Sequence, residues 1–158
     1  MNFEILYQDS MARCGQLSFL RGEIHTPVFM PVGTYGTVKA MTPDELLSLG
    51  AEIILGNTYH LMIRPGEEVI ALHHGLHKFM GWEKPILSDS GGFQIWSLSK
   101  KTKVYDDFVE FDSPINGDII RLTPEKAMAV QSILGSDIQM VLDECTHYPA
   151  NKTDAQSS

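Results

Sequence analysis

Hydrophobic and polar positions along the chain change rhythm twice. Over the first 30 residues, short alternating runs at 3–8 and 16–19, with a turn at Arg21-Gly22, predict a small antiparallel β element. A βα rhythm then begins. The apolar run 27–32 ends at Gly33-Thr34-Tyr35-Gly36, and Thr42-Pro43-Asp44-Glu45 carries the capping residue, first-turn proline and closing glutamate of a helix start that Gly50 would stop. Residues 52–55 form a second buried strand ending at Gly56-Asn57-Thr58. Pro65-Gly66 opens a helical stretch over 67–74, closed by Gly75, and a further turn over 76–80 leads to Gly81-Trp82. The third strand, 85–88, stops at Asp89-Ser90-Gly91-Gly92. Residues 94–122 break the rhythm. There Val109-Glu110-Phe111-Asp112 and Ile119-Ile120-Arg121-Leu122 flank Asn116-Gly117, a strong hairpin signal. Thr123-Pro124-Glu125 starts another capped helix running to Gly135, and the fourth strand, 138–142, stops at Asp143-Glu144-Cys145.

Four apolar strands alternating with helices predict a parallel sheet covered on both faces. Three of them end in a polar side chain, Asn57, Asp89 or Asp143, and in barrels and open α/β sheets alike the ligand sits at those ends. A (β/α)8 barrel takes roughly 250 residues, of which this chain supplies about four strands of eight. An open doubly wound sheet fits the length better. Residues 1–150 read as one unit and 151–158 as a polar, disordered tail.

Composition narrows the setting. With 158 residues and 43% hydrophobic content the chain can bury a real core, and no apolar run approaches the roughly 18 residues needed to span a bilayer. No export signal is visible at the N-terminus, and Cys14 and Cys145, far apart, read as reduced thiols; the expected compartment is the cytoplasm. The net charge is −8, and the only dense basic stretch is Lys100-Lys101-Thr102-Lys103, which reads first as a solvated loop. Affinity for nucleic acid rests mainly on cations that displace counterions, so composition argues against a strong general binder of tRNA or DNA.

The candidate chemistry lies at two strand ends. Asp89 is followed by Gly91-Gly92, which leaves backbone bare for a flat ligand, and by the aromatic face of Phe93. An aspartate capping a strand-to-loop turn gives the same pattern. Asp143 repeats the arrangement one βα unit later. A carboxylate there can accept the two adjacent donors of guanine, which adenine does not offer, although a loop cap fits equally. Cys145 is small enough to line the same pocket, but no Cys–His–Asn grouping marks it as a nucleophile. His73 and His77 have the spacing of a metal pair but straddle Gly75, where the helix ends, and Gly33-Thr34-Tyr35-Gly36 lacks the lysine of a phosphate loop.

Four ordered motifs carry a more specific signal: His25-Thr26-Pro27-Val28-Phe29-Met30-Pro31-Val32-Gly33-Thr34, Gly56-Asn57-Thr58-Tyr59-His60-Leu61, Ser88-Asp89-Ser90-Gly91-Gly92-Phe93-Gln94 and Leu142-Asp143-Glu144-Cys145. Together they resemble the tRNA-guanine transglycosylases (queuine tRNA-ribosyltransferases), from about residue 3 to about residue 150. The resemblance implies the N-terminal half of such an enzyme: an incomplete (β/α)8 TIM barrel of about the first four βα units, with a small N-terminal β element and an inserted β-hairpin. It implies exchange of guanine for a 7-deazaguanine base at the tRNA wobble position, with Asp89 as proton acceptor. Ser90, Gly91, Gly92 and Phe93 would wall the base site, Phe93 stacking on the purine, and Asp143 would read the donor edge of guanine. Cys145 matches the bacterial branch, which takes 7-aminomethyl-7-deazaguanine. In the family the nucleophilic aspartate and a Cys/His zinc site lie beyond the first half, so no metal or other cofactor is expected on this chain. The tRNA anticodon loop would be gripped mainly by the other half, and homodimerisation belongs to the full-length family. The chain alone is accordingly expected to be inactive, with a nucleobase-binding module or a non-functional remnant as alternatives.

Overall fold

The computed structural model describes residues 1–98 and 101–157. The chain opens with a three-stranded antiparallel meander, β1 (Asn2–Asp9), β2 (Ala12–Phe19) and β3 (Gly22–Thr26). A four-stranded parallel sheet follows, made of β4 (Val32–Gly33), β5 (Ile54–Gly56), β6 (Ile86–Ser88) and β10 (Ile138–Gln139). Between β6 and β10 the chain inserts a second antiparallel sheet, β7 (Lys103–Val104), β8 (Val109–Asp112) and β9 (Ile119–Leu122). The expected hairpin around Asn116-Gly117 is its β8–β9 pair, and β7 adds an edge strand that the sequence did not announce.

The parallel sheet has the order β10-β6-β5-β4, so its strands follow one another without the reversal that defines a doubly wound sheet. The apolar run 27–32 is mostly loop. Pro27 and Pro31 have no N–H to donate to a ladder, and pairing starts only where Pro31 offers its carbonyl to Leu55. The fourth strand is likewise shorter than its apolar run: past Gln139 the Met140 N–H still reaches the Ser88 carbonyl, but the Gln131 side chain takes up both Met140 backbone groups and ends the ladder.

Helices begin where capping chemistry places them. Thr42 and Glu45 close a capping box on α1 (Pro43–Ser48), while Thr123 caps α6 (Pro124–Leu134), which ends on left-handed Gly135. Between β5 and β6 lie α2 (Thr58–Leu61), a π-turn at Met62–Gly66, α3 (Glu67–Leu72) and α4 (Leu76–Met80). The helical path breaks at Arg64, which the following Pro65 forces into an extended conformation. Helix α5 (Gly92–Leu98) follows β6 directly. The segment read as a disordered tail instead forms α7 (Lys152–Ser157), its first turn closed by the Ala155 N–H donating to the Asn151 carbonyl.

One apolar cluster packs Ile54 and Ile86 of the parallel sheet against Leu46, Leu61, Ile70, Leu76, Val130 and Leu134 from the helices and Trp82 from the loop after α4. A second joins Phe111 and Leu122 of the inserted sheet to Tyr59, Ile95 and Ala127. The insertion is therefore anchored to α2, α5 and α6, the elements around the strand ends. Among the described residues no helix is long and apolar enough to cross a membrane.

Candidate active site

The C-terminal ends of β5 and β6 are sewn together at Asp89. Asn57 Nδ2 donates to Asp89 Oδ2 at 2.6 Å and the Thr58 backbone N–H to Oδ1 at 2.8 Å. Gln94 Nε2, one turn into α5, adds a donor to Oδ2 at 3.1 Å, and the Thr58 hydroxyl donates to the Asp89 carbonyl at 2.6 Å. Asp89 is half-buried. His60 stands beside this cluster, with its ring 5.0 Å from that of Tyr35. Burial lowers the His60 pKa, and the negative charge of Asp89 offsets part of that effect.

Ser90 links this strand end to the next. Its buried hydroxyl donates to Asp143 Oδ1 at 2.5 Å and accepts the Gly92 N–H at 3.1 Å. The two glycines are required by close approach. Gly91 has φ +85°, and a Cβ there would lie 3.2 Å from the Tyr59 nitrogen; a Cβ on Gly92 would strike the Asp143 carbonyl and lie 2.9 Å from Oδ1. Behind them a buried polar network fixes the exit of β10. Ser88 Oγ donates to Gln131 Oε1, which also accepts the Met140 N–H, while Gln131 Nε2 donates to the Met140 carbonyl.

Asp143 opens onto a cavity of about 600 Å³ between α5, the inserted sheet and residues 142–150. Gly92, Asp143 and Cys145 line it; Asp89, Ser90, Gly91 and Phe93 do not. The two expected carboxylates thus flank one Ser-Gly-Gly turn, but only Asp143 faces the cavity. Among the described residues neither is in an ion pair. Phe93 is exposed, its ring 5.8 Å from that of Trp96, which lies 5.6 Å from the His147 ring. Cys145 is half-buried; burial, then the charges of Asp143 and Glu144, push its thiol pKa up, so it stays protonated at neutral pH and is a poor nucleophile.

The family described as queuine tRNA-ribosyltransferase matches residues 8–158. The chain belongs to that family. Queuine tRNA-ribosyltransferases of Thioalkalivibrio sulfidiphilus, Pseudoalteromonas translucida and Thiobacillus denitrificans are 62%, 58% and 57% identical to it over all 158 residues. Those residues cover 43%, 42% and 43% of the respective relatives, so the chain spans less than half the length of the curated ribosyltransferases it matches. The enzymes of the family are pentosyltransferases.

Other residues singled out in the sequence serve elsewhere. His73 binds the Val69 carbonyl, and His77 reaches Asp137 at 3.0 Å. Among the described residues no three His, Cys, Asp or Glu side chains are grouped to hold a metal. In the basic stretch, Lys100 lies outside the described residues and Lys103 pairs with Glu110 at 3.7 Å. Asn57, Thr58 and Gln94, the donors to Asp89, were not assigned from sequence, although all three fall within the quoted motifs and Asn57 ends a strand.

Proposed function

We propose that this chain forms the base-recognising half of a tRNA-guanine transglycosylase, which exchanges guanine at the wobble position for 7-aminomethyl-7-deazaguanine in queuosine biosynthesis. The observation that supports this most is Asp143. One of its oxygens is held by Ser90, and the carboxylate stands over bare Gly92 at the mouth of a cavity of suitable size for a small molecule. Ring N–H and exocyclic amine of guanine are adjacent donors that such a carboxylate accepts together. The strand order without reversal is that of a barrel wall, which favours half of a (β/α)8 barrel over an open doubly wound sheet.

In the exchange, an aspartate outside these 158 residues attacks the ribose carbon, and guanine leaves with the bonding electron pair on its freed nitrogen, which takes up a proton. The incoming base then loses the proton of its glycosidic nitrogen to Asp89 and displaces the aspartate. Asp89 accepts three donors, two on Oδ2 and one on Oδ1, which leaves Oδ1 a lone pair to receive that proton. Gly92 forms part of the wall, Ser90 and Gly91 support it from behind by holding Asp143 and the turn, and Phe93, exposed beside them and outside the lining, is the ring that would stack on the purine. Cys145 lines the pocket as a neutral thiol. No step here runs through zinc. The acidic surface leaves the grip on the anticodon loop, like the homodimer contact, to the rest of the enzyme, acting in the cytoplasm.

Calorimetry with guanine tests the pocket: the chain is expected to bind the base and Asp143→Asn to lose it, and identical titrations would remove Asp143 from the site. The pure chain is also expected not to exchange labelled guanine into tRNA; turnover by the chain alone would overturn its reading as a half enzyme.

A further inference from the structure

The parallel sheet sends Ile54 and Ile86 into the helices. Side chains alternate along a strand, so Leu55 and Leu87, one residue on, point to the opposite face. The strand register carries that row across all four strands, as Val32, Leu55, Leu87 and Ile138. None of the four belongs to either apolar cluster; Leu55, Leu87 and Ile138 are half-buried and Val32 is exposed. The sheet also has two free margins. Among the described residues no strand pairs with the outer edge of β4 or of β10, and the exposed Met140 and Val141 prolong the second margin. A sheet with one apolar face and both edges open is incomplete by itself.

The surface area gives the size of what is missing. The chain exposes 10275 Å². A folded monomer of its 17.6 kDa exposes about 7,900 Å², so each copy carries a surplus of roughly 2,400 Å². Part of that lies on the meander, whose β1 is exposed throughout. Two such surpluses reach the range of an obligate homodimer, about 2,000–5,000 Å² in total.

We propose that two copies of this chain pair about a twofold axis, β4 of each beside β10 of the other, and close an eight-stranded parallel barrel over the row Val32, Leu55, Leu87 and Ile138. A twofold along the barrel axis keeps every strand parallel, makes the two new seams identical and leaves no edge free. Eight is the strand number at which inward side chains fill such a barrel. The inference rests on the sheet being half of a barrel wall. It differs from the homodimer of the complete enzyme, whose closed barrel has no edge to offer. Closure brings both sets of strand ends, with Asp89 and Asp143, to one pole, and each copy carries a net charge of −8, so charge opposes the pair and salt strengthens it.

Sedimentation equilibrium of the pure chain at low and high salt tests this. A species of twice the chain mass is expected, tighter at high salt. Val32→Lys and Ile138→Lys place a charge in the closed interior and should each weaken the pair about tenfold or more. Val32 is exposed in the single chain, so its variant should keep the wild-type circular dichroism. Leu72→Lys, on the exposed side of α3, should leave the pair intact. A monomer at every concentration, or species that grow beyond two copies, overturns the closed pair. So does a dimer that tolerates Val32→Lys, or one that Leu72→Lys dissociates. Guanine calorimetry on the same samples separates the two readings: a monomer that binds guanine removes the pairing alone, and a dimer that binds none removes the base site alone.

Discussion

Asp89 and Asp143 follow neighbouring paired strands, β6 and β10, yet their surroundings have little in common. Asp89 is half-buried, and three donors from β5, α2 and α5 converge on its carboxylate. Asp143 is exposed and takes a single hydroxyl, from Ser90. The difference lies in how many lone pairs are already committed: the first carboxylate is a structural junction of strand ends, while the second stands at the cavity with most of its acceptor capacity unused.

Truncating each aspartate gives the largest contrast. Asp89→Ala strands three donors at the strand ends and is expected to cost about 2–4 kcal/mol in urea unfolding, whereas Asp143→Ala, at an exposed site, should cost under about 1 kcal/mol. Equal losses would erase the distinction. Gly92→Ala comes next, since its methyl group meets the Asp143 carbonyl; overpacking of about 1–3 kcal/mol, with loss of guanine binding, is expected. A variant that still binds guanine normally would mean that residue 143 can retreat without consequence. The smallest effect concerns pH and lies away from both carboxylates. Burial, then Arg21, hold the His77 pKa below its ordinary 6.5 despite Asp137. The unfolded chain therefore takes up the proton first, and this contribution is complete above pH 6.5 and declines as the pH falls through the native value. His77→Gln should flatten the acid side of a melting-temperature profile, and an unchanged slope would assign it to other groups.

Local signals in the sequence were reliable where the chemistry itself is local. Thr42-Pro43 and Thr123-Pro124 mark helix starts because a cap is satisfied within three residues, and Asn116-Gly117 marks a turn for the same reason. Helix α5 was missed because Gly91-Gly92 reads as loop; Gly92 is dictated by a residue 51 positions later, through contact with Asp143. The donors to Asp89 from Asn57 and Thr58 come from 32 and 31 residues away, so no spacing rule exposes them. The position of Asp143 beside bare glycine backbone was readable in kind. Its separation from Asp89 across Ser90 was not, because it depends on how far β10 runs before leaving the sheet.

At the opposite end of the same strands, Asp137 gathers three elements at once. One of its oxygens accepts the Ile86 N–H and meets His77, and the other faces Arg21 from the meander at 3.4 Å. The sheet is in effect riveted at the pole remote from the cavity. Loops and carboxylates at the cavity pole can therefore be exchanged, lengthened or redirected while the register of the strands is kept elsewhere, a division of labour that lets the cavity lining change with little penalty in folding.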